Sequence, residues 1–502
     1  MQDVWQAGLQ QTLHIEERPL PCLRARQGHR TYALGVSVLK TKIMITYGPS
    51  VSSEEVLSGV LRYTDIVRFN FSHGDEAQWL RGMGLVRKVA AKLGREVALL
   101  ADLPGPKIRT ASMQAPLQVR KGETVALGSK RTKQTGIKSV VVDYPLYRDA
   151  RTGCTIEVGD GDLSLRVTAV HSGVVIAKAI DDGTIGGKKG VNVLGARMSA
   201  SAPTKTDMHL TDFAARNGFD FVALSFVKSR RDIDALRKRA DGMSIVAKIE
   251  TVEALGNIHE IAGVADAIMV ARGDLAIEIG IAKIPEAQKA IIEAAMDQQR
   301  PVIVATQLLA SMVENPAPTR AEANDIANAV ESGADCLMLS DETAVGRYPR
   351  QAVSYLAEIA GAAEASQKNP SRLNATASAM DFGISFAAAE LAERYGIDGI
   401  FVPTETGEAA RTMATLRPAT RLVALASSDS IRRSLSLYYG MTAVRIGKLS
   451  TMEALMADIK VIAARAHMRR YLIVAWSRSR PEMADTLRYV DMSAAGSKRP
   501  DI

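Results

Sequence analysis

The stretch IVAKIETVEALGNIHEIAGVADAIMVARGD, from Ile245 to Asp274, contains two short apolar runs separated by a segment with helical character. Each apolar run ends in polar residues or glycine. Continuous apolar runs of this kind are typical of parallel strands that are buried on both faces. The stretch therefore predicts a strand, a helix and a second strand of one parallel sheet.

The same unit recurs along the chain from about residue 42 onward. The runs are KIMITYG (42–48), DIVRFNF (65–71), VALLADL (97–103), FVALSFV (221–227), IVAKIE (245–250), AIMVARGD (267–274), VIVATQ (302–307) and CLMLSDE (336–342). Eight strands that alternate with helices predict a (β/α)8 barrel of the α/β class. Catalytic groups of such barrels follow the carboxyl ends of the strands. The polar residues found there indicate an enzyme: Arg68, Asn70, Asp102, Ser225, Lys248, Glu250, Arg272, Asp274, Thr306 and Glu342.

Two regions depart from the barrel pattern. More than a hundred residues separate Asp102 from Phe221, and their middle (115–195) alternates with period two. This alternation predicts a small β-barrel domain inserted after the third strand, where it could act as a lid. After a Ser/Asn/Ala-rich linker, further strand and helix signals predict a second α/β domain. The expected limits are 1–41 for an N-terminal extension, 42–106 and 200–365 for the barrel, 107–199 for the lid and 366–502 for the C-terminal domain.

Composition excludes several classes of protein. A chain of 502 residues with 47% hydrophobic residues is globular rather than disordered. No uncharged apolar run approaches ~18 residues and no signal core is present, so we expect no spanning helix and no membrane partner. Three scattered cysteines without a CxxC pattern indicate reduced thiols in a cytoplasmic protein, and the dispersed histidines argue against zinc. The net charge of +8 supports nucleic-acid binding only weakly, since aromatic residues make up only 5%.

Two acidic residues at neighbouring strand ends suggest a metal site. Lys248 and Glu250 are two residues apart and face the same side of their strand. Glu250 and Asp274 end adjacent strands, and Mg²⁺ commonly takes one or two protein carboxylates. With Lys248 beside the metal, the group could stabilise an enolate or a phosphoryl group in transfer. The alternative is a purely structural Lys–Glu ion pair.

Three further segments bring polar side chains to the same ends. In RFNFSHG the alternation places Arg68, Asn70 and Ser72 on one face, and arginine suits phosphate or carboxylate. Alternatively, Ser72 only begins a helix. DLPGPKIRT (102–110) carries Lys107 and Arg109 towards the site, or is only a turn into the insertion. Thr306 offers a hydroxyl to a substrate, or is an internally bonded strand-end threonine.

Taken together, these segments resemble the pyruvate kinase family. The matches run in order from about Thr41 to Pro349: KIMITYGPS, VRFNFSHG, DLPGPKIRT, GDGDLSL, IGGKKGVNV, FVALSFV, AKIE, MVARGDL, VATQLLASM, PTRAEANDIANAV and MLSDETAVGRYP. The resemblance implies a barrel domain A, a lid domain B and a C-terminal domain C. It also implies glycolytic phosphoryl transfer from phosphoenolpyruvate to ADP with Mg²⁺ (or Mn²⁺), which gives pyruvate and ATP, by a homotetramer.

The resemblance also assigns roles to individual residues. Lys248, Arg68 and Thr306 would be catalytic, and Glu250 and Asp274 would hold the metal. The substrate would be bound by Arg68, Ser225, Lys248, Ala271, Arg272, Gly273, Asp274 and Thr306. The nucleotide and its second metal would meet Asn70, His73, Arg109 and Lys189, with Asp160 of the lid approaching the closed site. Thr306, through water, would lie near the face on which the enolate is protonated.

One departure from the family concerns its monovalent cation. Many members hold K⁺ with residues that match Asn70, Ser72, Asp102 and the carbonyl of Leu103. Members that need K⁺ usually have threonine and glutamate where this chain has Leu103 and Lys107, and the family includes K⁺-independent enzymes with the pattern found here. Because a lysine ammonium can replace the charge of K⁺, we expect activity without K⁺. The alternative is that Lys107 points into solvent.

Domain C suggests regulation. In TETGEAART, Thr404, Thr406 and Gly407 precede a helix and resemble the family's phosphate nest for a sugar-phosphate or nucleotide effector. Glu408 would disfavour an anion there. Further on, Arg478 and Arg480 could bind phosphate or form a solvated charge run.

Other functions remain as alternatives. A lyase or aldolase of the wider phosphoenolpyruvate/pyruvate barrel group would use a similar metal-bound enolate, but it would need no nucleotide lid. A regulatory paralogue without activity would bind effectors through domain C. The intact Lys248, Glu250, Asp274 and Thr306 argue against that reading.

Overall fold

The computed structural model describes residues 39–130, 137–159, 162–194, 198–366, 380–446, 452–475 and 485–492. Most of the expected N-terminal extension and of the linker before domain C lies outside these ranges. The same is true of Asp160, Arg478 and Arg480.

Eight parallel strands close into a barrel, which confirms the predicted fold class. They are β1 (Lys42–Thr46), β2 (Ile66–Asn70), β3 (Ala98–Asp102), β12 (Phe221–Leu224), β13 (Ser244–Ile249), β14 (Ala267–Ala271), β15 (Val302–Ala305) and β16 (Cys336–Met338). Their order around the barrel is β1-β16-β15-β14-β13-β12-β3-β2. Met44 packs inside the barrel, whereas Ile43 and Ile45 pack against the outer helices. Because both faces are buried, the strand sequences are continuously apolar.

Helices surround the barrel. They are α1 (Glu54–Val60), α2 (Glu76–Leu93), α3 (Lys205–Arg216), α4 (Arg230–Arg237), α5 (Val252–Gly256), α6 (Ile258–Val264), α7 (Arg272–Ile279), α8 (Ile284–Asp297), α9 (Arg320–Ser332), α10 (Asp341–Ala344) and α11 (Pro349–Ser366), with 3-10 turns at Pro49–Val51, Ile281–Lys283 and Ala310–Val313. The start of α9 is fixed by a capping box, in which Thr319 and Glu322 bond each other's backbone N–H groups. Among the described residues, no helix combines the length and apolar character needed to cross a bilayer.

An all-β domain lies between β3 and α3. Its strands are β4 (Leu117–Val119), β5 (Thr124–Gly128), β6 (Lys138–Val141), β7 (Thr155–Val158), β8 (Leu163–His171), β9 (Val174–Ala179), β10 (Gly183–Ile185) and β11 (Val191–Leu194), with a 3-10 turn at Leu146–Arg148. Six strands form one sheet in the order β11-β7-β8-β9-β5-β6, and β10 pairs with β4. The two sheets enclose a hydrophobic core that is separate from that of the barrel.

The C-terminal part is a second α/β unit. Its strands are β17 (Gly399–Thr404), β18 (Arg421–Ala426), β19 (Met441–Arg445), β20 (Arg470–Ala475) and β21 (Thr486–Asp491), and its helices are α12 (Met380–Arg394), α13 (Glu408–Thr415), α14 (Asp429–Ser434) and α15 (Met452–Arg465), with a 3-10 turn at Leu435–Leu437. The strand order is β19-β18-β17-β20-β21, and only β21 runs antiparallel. The domain boundaries expected from the sequence remain predictions.

The C-terminal unit closes the end of the barrel where the strands begin. Leu437 is fully buried and belongs to the cluster of side chains inside the barrel. At the start of β1, Lys42 Nζ donates to the carbonyl of Met441 at 2.7 Å. Next to β16, the backbone N–H of Tyr439 donates to Asp335 Oδ1 at 3.2 Å. The unit therefore packs opposite the carboxyl ends of the strands, which we call the catalytic rim.

Replacing Leu437 by alanine should destabilise the protein by about 2–5 kcal/mol, because it leaves a cavity in a closed core. The measurement is urea-induced unfolding of the full chain. Leu391→Ala is the matched control, since Leu391 is 38% exposed and should change stability little. Equal losses in the two variants would contradict the packing of Leu437 inside the barrel.

Candidate active site

Lys248 lies at the centre of a buried ionic cluster on the catalytic rim. Its Nζ is 2.8 Å from Glu250 Oε1 and 3.3 Å from Asp102 Oδ1, and it donates to Ser225 Oγ at 2.7 Å. Burial lowers the pKa of Lys248, but the charges of Asp102 and Glu250 outweigh burial and raise it. The ammonium group therefore stays charged throughout the working pH range.

Arg68 shares a carboxylate with Lys248. Its Nε and Nη2 contact Asp102 Oδ2 at 2.8 and 2.7 Å, and its Nη1 donates to Thr46 Oγ1 at 2.9 Å. Burial raises the pKa of Asp102, but the charges of Lys248 and Arg68 more than offset this and lower it. Asp102 thus remains ionised and holds two cationic groups side by side.

Thr46 was not among the residues predicted from the sequence. It ends β1 and lies in register with Arg68 on β2. Its hydroxyl donates to the carbonyl of Leu339 at 2.9 Å while it accepts from Arg68. Its position as the polar end of an apolar run was the signal that could have identified it.

Glu250 and Asp274, the predicted metal ligands, have the properties of a site for a hard cation. Glu250 Oε2 accepts from the backbone N–H of Phe226 at 2.7 Å. Its Oε1 is buried and, apart from the ionic contact with Lys248, has no hydrogen-bond donor among the described atoms. Burial raises the pKa of Glu250, Lys248 opposes this, and the nearby charge of Asp274 raises it again.

A divalent cation would relieve this repulsion between carboxylates. The described residues contain no group of three or more His, Cys, Asp or Glu side chains that could hold a metal. Two carboxylates are nevertheless a common protein contribution to Mg²⁺, which completes its octahedron with substrate and water oxygens. The donor set therefore fits Mg²⁺ or Mn²⁺.

Lys107 reaches the site from the segment that leads into the β domain. Its Nζ lies 2.9 Å from Asp274 Oδ1, and both side chains are about one quarter exposed. Gly105 turns the chain here with φ +64°, and an added Cβ would lie 2.9 Å from Ser225 Cβ. The turn requires glycine because both the conformation and the space exclude a side chain.

The residues matched to the family's K⁺ pocket lie together at the ends of β2 and β3. Asn70 and Asp102 are in register. The Ser72 N–H donates to Asn70 Oδ1 at 3.1 Å, and the Leu103 carbonyl accepts from Ser225 Oγ at 2.8 Å.

Thr306, which follows β15, lies against the start of α7. Its Oγ1 accepts from the backbone N–H of Gly273 at 3.0 Å. Its φ is +69°, a conformation that costs a β-branched residue about 1–3 kcal/mol. Together with Ala271 and Arg272, this arrangement places backbone N–H groups and a hydroxyl at one helix N-terminus, which favours an anion.

The four predicted nucleotide-binding residues come from two domains. Asn70 and His73 belong to the barrel, whereas Arg109 and Lys189 lie on paired segments of the β domain. Burial lowers the pKa of His73, and the charges of Arg109 and Arg68 lower it further, so the imidazole is neutral at neutral pH. Lys189 Nζ contacts Asp162 Oδ2 at 3.0 Å within the β domain.

Of the suggested effector-binding residues, the structure describes Thr404, Thr406 and Gly407. Gly407 has φ +90°, and its N–H donates to Thr404 Oγ1 at 2.8 Å. The N–H of Glu408 donates to Thr406 Oγ1 at 3.3 Å. These backbone groups are therefore bonded to threonine hydroxyls.

The fold and the site define a (β/α)8-barrel enzyme that binds an anionic substrate with buried cationic side chains. A model of the barrel domain of pyruvate kinase matches residues 38–353, and one of the pyruvate kinase alpha/beta domain matches residues 383–488. The chain belongs to the pyruvate kinase family, whose enzymes use phosphoenolpyruvate and ADP and yield pyruvate and ATP.

Individual relatives agree with the family models. A pyruvate kinase of Staphylococcus saprophyticus is 37% identical over 432 residues, which cover 83% of this chain and 73% of that protein. One of Clostridium acetobutylicum is 36% identical and covers 83% of this chain and 91% of its own length. The crystal structure of a pyruvate kinase from Cryptosporidium parvum has a TM-score of 0.84 at 30% identity, and the match covers 90% of this chain and 96% of that one.

Asp102→Asn should destabilise the enzyme by about 3–5 kcal/mol at neutral pH, because it leaves buried cations without their carboxylate. The pKa of Asp102 is lowered by folding, so its contribution is complete above the ordinary value of 3.8 and is lost as the pH falls through the folded value. The difference in unfolding free energy between wild type and Asp102→Asn should therefore shrink below pH 3.8. Urea unfolding across this range measures it.

Asp212→Asn is the matched control, because Asp212 forms a more exposed pair with Arg239 at 2.9 Å. This variant should lose only about 0–1 kcal/mol of unfolding free energy. If the difference in unfolding free energy between Asp102→Asn and wild type does not depend on pH, the charged state assigned to Asp102 is contradicted.

Proposed function

We propose that this enzyme transfers the phosphoryl group of phosphoenolpyruvate to ADP with Mg²⁺ (or Mn²⁺) and without a requirement for K⁺. The main support is the buried cluster in which Asp102 holds Arg68 and Lys248 together beside Glu250. Phosphoryl transfer depends on positioning and on stabilising charge rather than on covalent chemistry of the protein. Two fixed cationic groups meet that requirement.

Arg68 and Lys248 would bind the transferring phosphoryl group. Because Asp102 already fixes both side chains, they need little reorganisation when charge develops in the transition state. The ammonium of Lys248 would also stabilise the negative charge on the enolate oxygen as the phosphoryl group leaves. Glu250 and Asp274 would hold the divalent cation, which as a Lewis acid polarises phosphoryl and enolate oxygens when bound.

Thr306 would orient the substrate carboxylate and serve the final proton transfer. Its Oγ1 accepts from Gly273, so its O–H can donate to the carboxylate or to a water molecule. That water would deliver the proton to the methylene carbon of the enolate. Ser225, together with the N–H groups near Ala271 and Arg272, would complete the pocket.

The β domain would act as a lid over the nucleotide. Arg109 and Lys189 would bring positive charge to the phosphates of ADP from the lid side, opposite Asn70 and His73 on the barrel. The lowered pKa of His73 supports a neutral imidazole, which can donate or accept a hydrogen bond without adding charge.

Independence of K⁺ is supported by the position of Lys107. Its ammonium is 2.9 Å from Asp274, so it brings positive charge to the metal-binding side of the rim. A charge supplied by the protein would make an external monovalent cation unnecessary.

From the family resemblance we also propose that the protein is a cytoplasmic homotetramer. A sugar phosphate or nucleotide would activate it allosterically by binding at Thr404, Thr406 and Gly407, with Arg478 and Arg480. An effector phosphate would have to displace the threonine hydroxyls from the N–H groups of that loop.

Glu250→Gln should weaken binding of the divalent metal by about tenfold or more, because a neutral amide replaces a charged ligand. Direct titration with Mn²⁺ followed by electron paramagnetic resonance measures this without relying on activity. Glu364→Gln is the control, since that carboxyl is half-buried at the opposite end of the barrel, where it accepts from the backbone N–H of Thr41 at 2.6 Å. Equal affinities in Glu250→Gln and wild type would reject Glu250 as a ligand.

Pyruvate release from phosphoenolpyruvate and ADP should be equal with K⁺ and with a bulky organic cation in its place. Lys107→Glu should make activity depend on K⁺, because the missing positive charge must then come from solution. Lys121→Glu, the same charge change at an exposed turn of the β domain, should not. A Lys107→Glu enzyme equally active with and without K⁺ would reject the role of Lys107, and a wild type active only with K⁺ would reject the proposed independence.

A further inference from the structure

Thr306 holds a backbone conformation that its own side chain disfavours. Its φ is +69°, and the next residue, Gln307, also has a positive φ of +56°. A β-branched residue in the left-handed region keeps this conformation only where its surroundings impose it. The contacts that impose it are therefore part of how the site is built.

The side chain of Arg272 makes these contacts. Its Nε and Nη2 donate to the carbonyl oxygen of Thr306 at 3.2 and 2.6 Å. The residue after it, Gly273, donates its N–H to Thr306 Oγ1 at 3.0 Å. The start of α7 thus binds Thr306 at both its backbone oxygen and its hydroxyl, which leaves little freedom for either.

Asp325 fixes the arginine in turn. Its Oδ1 and Oδ2 accept from Arg272 Nη1 at 2.9 and 2.7 Å. Arg272 is 7% exposed, so its guanidinium is largely removed from water, whereas the Asp325 side chain on α9 is 39% exposed. Buried guanidinium groups require partners that satisfy their charge and donors. Asp325 and the Thr306 carbonyl together do this.

We infer that Asp325 and the side chain of Arg272 are positioning residues that hold Thr306 in its left-handed conformation. The chain of contacts runs from a partly exposed carboxylate on α9, through one buried guanidinium, to the residue that follows β15. This inference concerns the conformation of Thr306. Its expected effect on catalysis rests on the proposed function of Thr306.

A double-mutant cycle on the full-length enzyme tests the inference independently of activity. Asp325→Asn should lower the apparent melting temperature in the wild type. In a Thr306→Gly background the same change should lower it more, because threonine recovers its left-handed penalty when the contact is lost, whereas glycine has no such penalty to recover. Equal losses in both backgrounds would overturn the inference. Thr306→Asn provides a second background, since asparagine also tolerates this region.

A second measurement addresses catalysis. Exchange of the methyl protons of pyruvate with deuterium, in the presence of ATP and Mg²⁺, reports the proton-transfer step that Thr306 would serve. In Asp325→Asn this exchange should fall by about tenfold to a hundredfold, because a small displacement of a positioned group is costly. The KM for ADP should stay close to that of the wild type. The control Glu331→Gln, on the exposed surface of the same helix, should leave the exchange unchanged.

The two measurements separate the two claims. Coupling in the melting temperatures with normal proton exchange would keep the positioning of Thr306 and reject its proposed catalytic role. Loss of exchange together with a parallel rise in the KM for ADP, and without coupling in stability, would indicate general disruption and overturn the inference.

Discussion

The carboxylate of Asp102 contacts both cationic side chains of the site at once. Oδ2 binds the guanidinium of Arg68 at 2.7 Å, and Oδ1 lies 3.3 Å from the ammonium of Lys248. Two buried cations this close would repel each other, and the carboxylate between them offsets the repulsion. Buried charges tolerate the loss of a partner poorly. The cluster must therefore form as a unit, and it presents its positive groups already oriented for an anion.

The parallel barrel is what makes this cluster possible. Register pairs place Thr46 beside Arg68, and Asn70 beside Asp102, at the same height on neighbouring strands. Strand side chains alternate between the interior and the surrounding helices, so a polar side chain can enter the site only at the last positions of a strand. The opposite end of the interior is filled by apolar side chains, Leu437 among them. Polar groups are consequently concentrated at the catalytic rim.

The strands were predictable because their burial on both faces leaves a strong sequence signal. GIFVPT (399–404), for example, coincides with β17. Lys248 and Glu250 were predictable as neighbours because residues two apart in a strand share a face. No such rule links Lys107 to Asp274 or Arg272 to Asp325, which are 167 and 53 residues apart. Those pairs depend on how the inserted domain and the helices pack, which local periodicity does not encode.

Six charged side chains at the centre of the catalytic rim balance one another before any ligand binds. Three cationic side chains face three carboxylates: Arg68, Lys248 and Lys107 against Asp102, Glu250 and Asp274. A divalent cation alone would add positive charge to this neutral set, and phosphoenolpyruvate alone would add negative charge. Each would offset the charge of the other, and such compensation is worth more in a partly buried site than in water. Because coupling between two ligands is reciprocal, the metal would tighten substrate binding by the same factor as the substrate tightens metal binding.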